Sequence, residues 1–278
     1  MTDTDTFEVK FWGVRGSVAC PGPDTLHYGG NTPCVEIRCG ERVLIFDAGT
    51  GIRQLGARLV AADTRNVDLF LSHTHYDHIL GLPFFCFAYD PRNTLRIWAG
   101  HQPAGQSIEQ TLRRFMSPPL FPVSTEIFDA AISYTDFRAG DDLAPAPGVA
   151  IRTIALNHPD NSTGYRVDHG GKSICYLTDT EHVAGTLDPG ILDFIRDADI
   201  VIYDANFTDD EYRKSYVGWG HSTWQQGVRL AQAAGVKTLA LFHHSPDRDD
   251  TALAAIEAAA RKQHSRALAA REGLTLSP

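Results

Sequence analysis

The sequence predicts an α/β fold in which two packed mixed β-sheets are flanked by helices. Three observations point there. Short apolar runs broken by Gly/Pro turns fill the first fifty residues and read as hairpin-like strands. Later apolar runs are separated by amphipathic stretches, so those strands are helix-linked. A chain of 278 residues with 43% hydrophobic content can bury a large core, and no repeat, linker or composition break divides it. A single domain over 1–278 is therefore expected.

The elements follow in order. Strands are expected at 7–12, 34–38 and 43–47, then a helix at 51–61 and a buried strand at 67–72. Further strands are expected at 95–99, 149–156, 163–168, 172–177, 200–204 and 238–242. Helices are expected at 108–115, 191–197, 223–234 and 251–270. The third of these is amphipathic, and Ser222-x-x-Gln225 ahead of it has the spacing of a capping box.

Strand 67–72 delivers the most informative run of the chain, His73, Thr74, His75, Tyr76, Asp77 and His78, an H-x-H-x-D-H pattern. Imidazole nitrogens and carboxylate oxygens are the ligand set of borderline divalent metals such as Zn²⁺. Three His and one Asp are too many for one tetrahedral ion that must also hold a water, and the spacing suits division between two ions. Other chemistry-bearing residues also stand at the ends of apolar runs: Asp47, His158, Asp179 and the pair His243-His244.

This set of motifs resembles the metallo-β-lactamase superfamily over residues ~8–250. The resemblance implies a four-layer αββα sandwich. It implies that His73, His75 and His158 bind one metal, that Asp77, His78 and His243 bind a second, and that Asp179 bridges them. Asp47 matches an upstream Asp that supports the ligand loop without binding metal. Neighbouring side chains on a strand point to opposite faces, so only one of His243 and His244 can face the site. The family pattern, with the ligand two residues before Ser245, selects His243, leaving His244 behind the ligands or facing substrate. Two divalent ions are expected, Zn²⁺ first, with Mn²⁺ or Fe as alternatives.

A second cluster narrows the branch. Gly218-Trp219-Gly220-His221-Ser222-Thr223 follows Ile202-Tyr203-Asp204, a strand ending in a carboxylate. With Phe11-Trp12-Gly13-Val14-Arg15-Gly16-Ser17 and Tyr28-Gly29-Gly30-Asn31-Thr32, this resembles the phosphodiesterase branch, which includes tRNase Z and cyclic-nucleotide phosphodiesterases. The resemblance implies that Asp204 orients His221, which protonates a leaving alkoxide, and it adds Asp77 to the catalytic residues. Metal binding lowers the pKa of water from ~15.7 towards ~7, so two such ions would supply a hydroxide nucleophile for a phosphodiester at neutral pH.

Charge argues about substrate size. The net charge is −9 and no run of Lys or Arg is present, whereas tRNA or long-duplex binding relies on many phosphate contacts. A small cyclic nucleotide or related phosphodiester is the expected substrate, without stable nucleic-acid binding. Arg15, Arg113 and Arg114 are candidates for one phosphate contact, against a reading as solvated surface charge. Hydrolysis of another ester (sulfate ester, lactone or thioester), tRNA 3′ processing, and a non-catalytic binding module are the alternatives. The aromatic runs around Phe84–Phe87 and Phe115–Phe121 either wall the pocket or pack beneath it. Of the remaining histidines, His101, His169, His182 and His264 read as solvated, and His27 sits by a turn that can approach the site.

No apolar run reaches membrane-helix length. The polar, acidic residues 1–6 resemble neither a secretory signal nor a transit peptide. Cys20, Cys34, Cys39, Cys86 and Cys175 lack C-x-x-C spacing and read as reduced, mostly packed thiols of a cytoplasmic protein. A homodimer is left open.

Overall fold

A computed structural model of the chain describes residues 6–278. Residues 1–5, which carry most of the expectation about targeting segments, lie outside the described residues. Strands β1 (Phe7–Gly13), β2 (Cys34–Cys39), β3 (Arg42–Phe46), β4 (Asn66–Leu71), β5 (Thr94–Ala99) and β6 (Ala131–Asp136) lie side by side in one sheet. Strands β7 (Asp142–Ala146), β8 (Val149–Leu156), β9 (Ser162–His169), β10 (Lys172–Leu177), β11 (Ile200–Asp204), β12 (Thr238–Phe242) and β13 (Ala267–Ala269) form the other. The last, β14 (Thr275–Leu276), returns to pair with β1.

Each sheet is half antiparallel and half parallel. Strands β3 to β6 run parallel in the first, and β10 to β13 in the second. Parallel strands are buried on both faces and so read as continuous apolar runs, as Thr238–Phe242 does with every residue buried. The helices are α1 (Ile52–Ala61), α2 (Tyr76–Ile79), α3 (Ile108–Phe115), α4 (Pro189–Phe194), α5 (Asp209–Glu211), α6 (Trp224–Ala233) and α7 (Asp250–Gln263). Leu55 and Leu59 of α1 and Leu112 of α3 pack on Ile45, Leu69 and Ile97 of the first sheet. Phe194 of α4, Val228 of α6 and Ala260 of α7 pack on Cys175, Val201 and Leu241 of the second.

Between the sheets lies an aromatic layer. Phe46 and Phe70 of one sheet meet Tyr165 and Tyr176 of the other, with ring centroids 5.3–5.7 Å apart. The architecture is thus helix, sheet, sheet, helix, as the sequence predicts. No helix among the described residues is long and apolar enough to cross a membrane. All five cysteines are free, with Cys34, Cys39 and Cys175 buried, Cys20 half-buried and Cys86 exposed.

Some expectations are corrected. The helix expected over 251–270 ends at Gln263, and Ala267–Ala269 forms β13 instead. Alanine favours helix locally, but the open edge of β12 gains backbone pairing from these residues. Strands β6 and β7 were not expected. Residues of β6 are partly exposed, and β7 carries Pro145 at a sheet edge beside a break in register, where Pro is tolerated. The helix expected over 191–197 starts earlier, with Asp188 capping and Pro189 in its first turn. The cap of α6 is Thr223, which accepts from the Gln226 amide, so the Ser222–Gln225 capping box does not form. Ser222 is instead buried against His182 and Tyr203.

One buried bond ties the core to the chemistry above it. The Tyr165 hydroxyl donates to the Leu71 carbonyl at 2.6 Å, at the end of β4 just before Ser72-His73. Tyr165→Phe should leave that carbonyl without its partner and lower unfolding free energy by about 1–3 kcal/mol, read by chemical denaturation. An unchanged midpoint would show that another donor takes its place.

Candidate metal centre

The cluster forms where strands of both sheets end. Strand β4 leads into His73, His75 caps α2, and Asp77 and His78 lie within that single turn. The ends of β8, β10 and β12 deliver His158, Asp179 and His243. In open α/β sheets such strand ends are where ligands gather. Asp47, Asp179 and His243 all have left-handed backbones, with φ of 64°, 56° and 58°, as does Ser17 at 65°. Non-glycine residues in that region are uncommon and concentrate at functional sites.

Among the described residues three groups of donor atoms gather within 4.8 Å: His73, His75 and His158 in the first, Asp77, His78, Asp179 and His243 in the second, and Asp179, Asp204, His221 and His243 in a third that overlaps the second. In the first, His158 Nε2 lies 3.1 Å from His75 Nδ1 and 3.7 Å from Asp179 Oδ1. In the second, His78 Nε2 lies 3.2 Å from Asp77 Oδ2, 3.2 Å from Asp179 Oδ2 and 3.3 Å from His243 Nε2. Asp179 thus reaches the first and second groups, one carboxylate oxygen towards each. Its left-handed backbone turns it inward, and the Thr178 hydroxyl donates to its Oδ2 at 2.5 Å.

The residues behind the cluster dictate which atoms face it. Asp47, fully buried, accepts from the Ser72 amide and hydroxyl, from Tyr176 Oη at 2.7 Å, and from His78 Nδ1 at 2.8 Å. With Nδ1 committed to Asp47, the ring presents Nε2 to the two carboxylates, the atom that would face a cation. Similarly, His158 Nδ1 donates to the Gly220 carbonyl at 2.7 Å, which turns its Nε2 inward. The Ser17 amide donates to Asp77 Oδ2 at 2.8 Å, and Asn206 Nδ2 donates to the His243 carbonyl at 3.1 Å. Ser17 closes the Phe11–Ser17 motif without a role expected of it, and Asn206 lies two residues after Asp204.

These donors fit divalent cations. His73 Nε2 is enclosed and has no hydrogen-bond partner among the described residues, the state of a ligand atom aimed at an ion. Burial, then the neighbouring His78, holds the His73 imidazole well below its ordinary pKa, so it is neutral with a free lone pair. Burial opposes charge on His78 too, but Asp77, Asp179 and Asp47 overcome it and hold it well above the ordinary value. Asp77 and Asp179 are held well below the carboxylate range despite burial, chiefly by His78 for the first and His243 for the second. The site calls for positive charge at its centre, which cations supply.

Beside the cluster, His221 Nδ1 lies 2.9 Å from Asp204 Oδ2 and 3.7 Å from Asp179 Oδ1. Burial lowers the basicity of His221, but Asp204 outweighs it and raises the pKa to about 9. A divalent cation nearby would bring it back down. Asp204 is fully buried and also accepts from the Asn206 amide at 3.1 Å.

His244 does not face the cluster: the chain leaves β12, the left-handed His243 turns its ring inward, and His244 Nε2 is buried against the Ala270 carbonyl at 2.8 Å. Several expected roles change. Arg15 is neither solvated nor free for substrate. It is fully buried and donates to the carbonyls of Gly29, Ser245 and Arg248, tying N- and C-terminal loops together. Arg113 is exposed and paired with Glu109 and Glu126, and Arg114 is exposed on α3. His101 and His182 are buried, not solvated; the first sits behind Thr74 and the second against Ser222. His27 is exposed, its ring 4.8 Å from that of Tyr28.

The aromatic runs are part core and part surface. Phe85 and Phe87 are core, whereas Phe84 is exposed beside Phe121, and Tyr76, between His75 and Asp77, is 65% exposed near Phe115.

Comparison with known proteins agrees with this geometry. A family model described as a β-lactamase superfamily domain matches residues 42–244. Ribonuclease Z of Haloarcula marismortui is 26% identical, with 86% of each chain covered. The metallo-β-lactamase fold protein YhfI from Bacillus subtilis shares the fold with a TM-score of 0.72 at 19% identity, covering 98% of this chain and 100% of its own. A diphosphatase from the PhnP family superposes with a TM-score of 0.69 at 18% identity, covering 98% of each chain. With the fold, the strand-end donor cluster and the matched segment in agreement, the chain belongs to the metallo-β-lactamase superfamily of hydrolases.

Proposed function

We propose that this protein is a phosphodiesterase that cleaves a small cyclic nucleotide or a related phosphodiester, using two divalent cations. The observation that carries this reading is the Asp204–His221 pair, 2.9 Å apart and adjoining Asp179. His73, His75 and His158 would hold one cation, Asp77, His78 and His243 the other, and Asp179 would serve both. Zinc suits this N/O donor set, with manganese or iron as alternatives. When bound, the cations would supply Lewis acidity and generate the nucleophile at neutral pH.

The chain's own residues supply the rest. A phosphodiester with an alkoxide leaving group needs a proton on the departing oxygen, and general acid help of this kind contributes ~10²–10⁴-fold. His221 commits Nδ1 to Asp204, which fixes the ring and leaves Nε2 as the atom that gives a proton. Asp204 also stabilises the charged imidazole before transfer. Asp77, held by the Ser17 amide, brings negative charge into the second donor group.

A small substrate is supported by a net charge of −9 and by exposed arginines that already have carboxylate partners, such as Arg113 with Glu109 and Arg213 with Asp210. The likeness to ribonuclease Z favours a second reading, an RNA endonuclease such as a tRNA 3′-processing enzyme. The family segment is completed by β1, β2, β13 and β14 of the same two sheets, which supports one domain. Free buried thiols support a reducing, cytoplasmic setting.

Turnover of 3′,5′-cyclic AMP, bis-p-nitrophenyl phosphate, a lactone and a 3′-extended tRNA by metal-loaded enzyme tests the substrate class. Preference for the tRNA would replace the small-diester reading, and lactone hydrolysis alone would remove phosphodiesters altogether. Elemental analysis should find two ions per chain, and Asp179→Ala should lose both; full occupancy in that variant would refute the bridging role. His221→Ala should retain metal yet slow alkoxide-leaving diesters by ~10²–10⁴-fold. Esters of p-nitrophenol, whose leaving group needs no proton, should slow far less. Equal losses on both classes would return His221 to binding or structure.

A further inference from the structure

We propose that Glu181 is a positioning residue that holds the Gly218–His221 loop and, through it, orients the candidate ligand His158. Glu181 stands two residues after Asp179. Its Oε1 accepts from the Gly218 amide at 2.6 Å and from Tyr212 Oη at 2.8 Å, and its Oε2 accepts from the Gly220 amide at 2.7 Å. One carboxylate therefore grips two backbone amides that flank Trp219, with charge-assisted bonds about twice as strong as neutral ones.

The loop conformation makes this grip specific. Gly218 and Gly220 have φ of 88° and 82°, a region other residues rarely adopt. A Cβ on Gly220 would sit 2.4 Å from His158 Nδ1, so loop and imidazole touch directly. That contact is the hydrogen bond from His158 Nδ1 to the Gly220 carbonyl at 2.7 Å, and it leaves Nε2 facing the donor cluster. The backbone closes the circuit. The Glu181 amide donates to the Asn157 carbonyl at 2.7 Å, and Asn157 Nδ2 donates back to the Glu181 carbonyl at 3.1 Å. Glu181, the Gly220 peptide, His158 and Asn157 thus form one ring of contacts. His221, the next residue along the loop, meets Asp204 from that fixed position.

Glu181 touches no candidate ligand atom, so it acts by placement. The part of this proposal that concerns turnover rests on the general-acid reading of His221; the part that concerns His158 does not. Residues in this supporting position typically change metal affinity or activity by ~10–100-fold when removed.

The test uses zinc-loaded enzyme with ¹⁵N-labelled histidine. In Glu181→Ala, the hydrogen-bonded Nδ1 proton of His158, assigned by its loss in His158→Gln, should weaken or vanish from the NMR spectrum. Affinity for one zinc ion should fall ~10–100-fold. For alkoxide-leaving diesters, kcat should fall by a similar factor with KM little changed, and p-nitrophenyl esters should be less affected. Glu181→Gln, which keeps one acceptor oxygen but sets an amide NH₂ among N–H and O–H donors, should fall between wild type and alanine. It also serves if the alanine variant does not fold. Loss of the His158 signal and of zinc affinity supports the clamp even where His221→Ala shows no leaving-group effect, a result that would sink only the general-acid reading. An intact His158 signal with wild-type zinc affinity in both variants overturns the clamp, whatever His221 does.

Discussion

Asp47 sits fully buried at the end of β3, and its carboxylate accepts from Ser72 at the end of β4, from His78 in the following turn, and from Tyr176 of the opposite sheet. A buried charge without partners would be prohibitively costly. With these partners it is satisfied, and it locks both sheets and the H-x-H-x-D-H turn in one arrangement. The aromatic layer of Phe46, Phe70, Tyr165 and Tyr176 sets the spacing between sheets that lets the Tyr176 hydroxyl reach it. The direction of His78 Nε2, and with it the second donor group, follows from that bond.

The cost of the site is visible in its backbone and its charges. Four non-glycine residues in left-handed conformations surround it, and two carboxylates crowd buried imidazoles at 3.2–3.3 Å. Such an arrangement persists because the surrounding sheets over-determine it, and divalent cations at the cluster would relieve its crowding. Behind the donors stands a ring of supports (Asp47 for His78, the Gly220 carbonyl for His158, the Ser17 amide for Asp77) that fixes which nitrogen or oxygen each presents.

The fold is shared with proteins of several different functions, so it does not select the reaction. In the function proposed above, the segment from Gly218 to His221 would bring the proton donor that an alkoxide leaving group requires. That segment owes its shape to two left-handed glycines and the Glu181 carboxylate, none of which touches the donor cluster itself except through His158.

The sequence by itself determined two packed sheets covered by helices and most strand positions, because continuous apolar runs mark buried strands. It also placed Asp47, His158, Asp179 and His243 at strand ends, since a strand's last residue lands at a shared edge whatever the details of packing. The division of the seven candidate donors, the supporting role of Asp47 and the pairing of Asp204 with His221 were legible only through the resemblance to the family. Tertiary structure alone decided the rest. Arg15 reads as a surface charge until the carbonyls of Ser245 and Arg248, more than 200 residues away in sequence, enclose it. His244 reads as a neighbour of the site until a left-handed turn at His243, not strand alternation, sends it to Ala270. Ala267–Ala269 reads as helix until an unpaired strand edge claims it. Local pattern encodes burial and periodicity, whereas the partner of a buried polar group is set by whichever distant backbone the fold brings within about 3 Å.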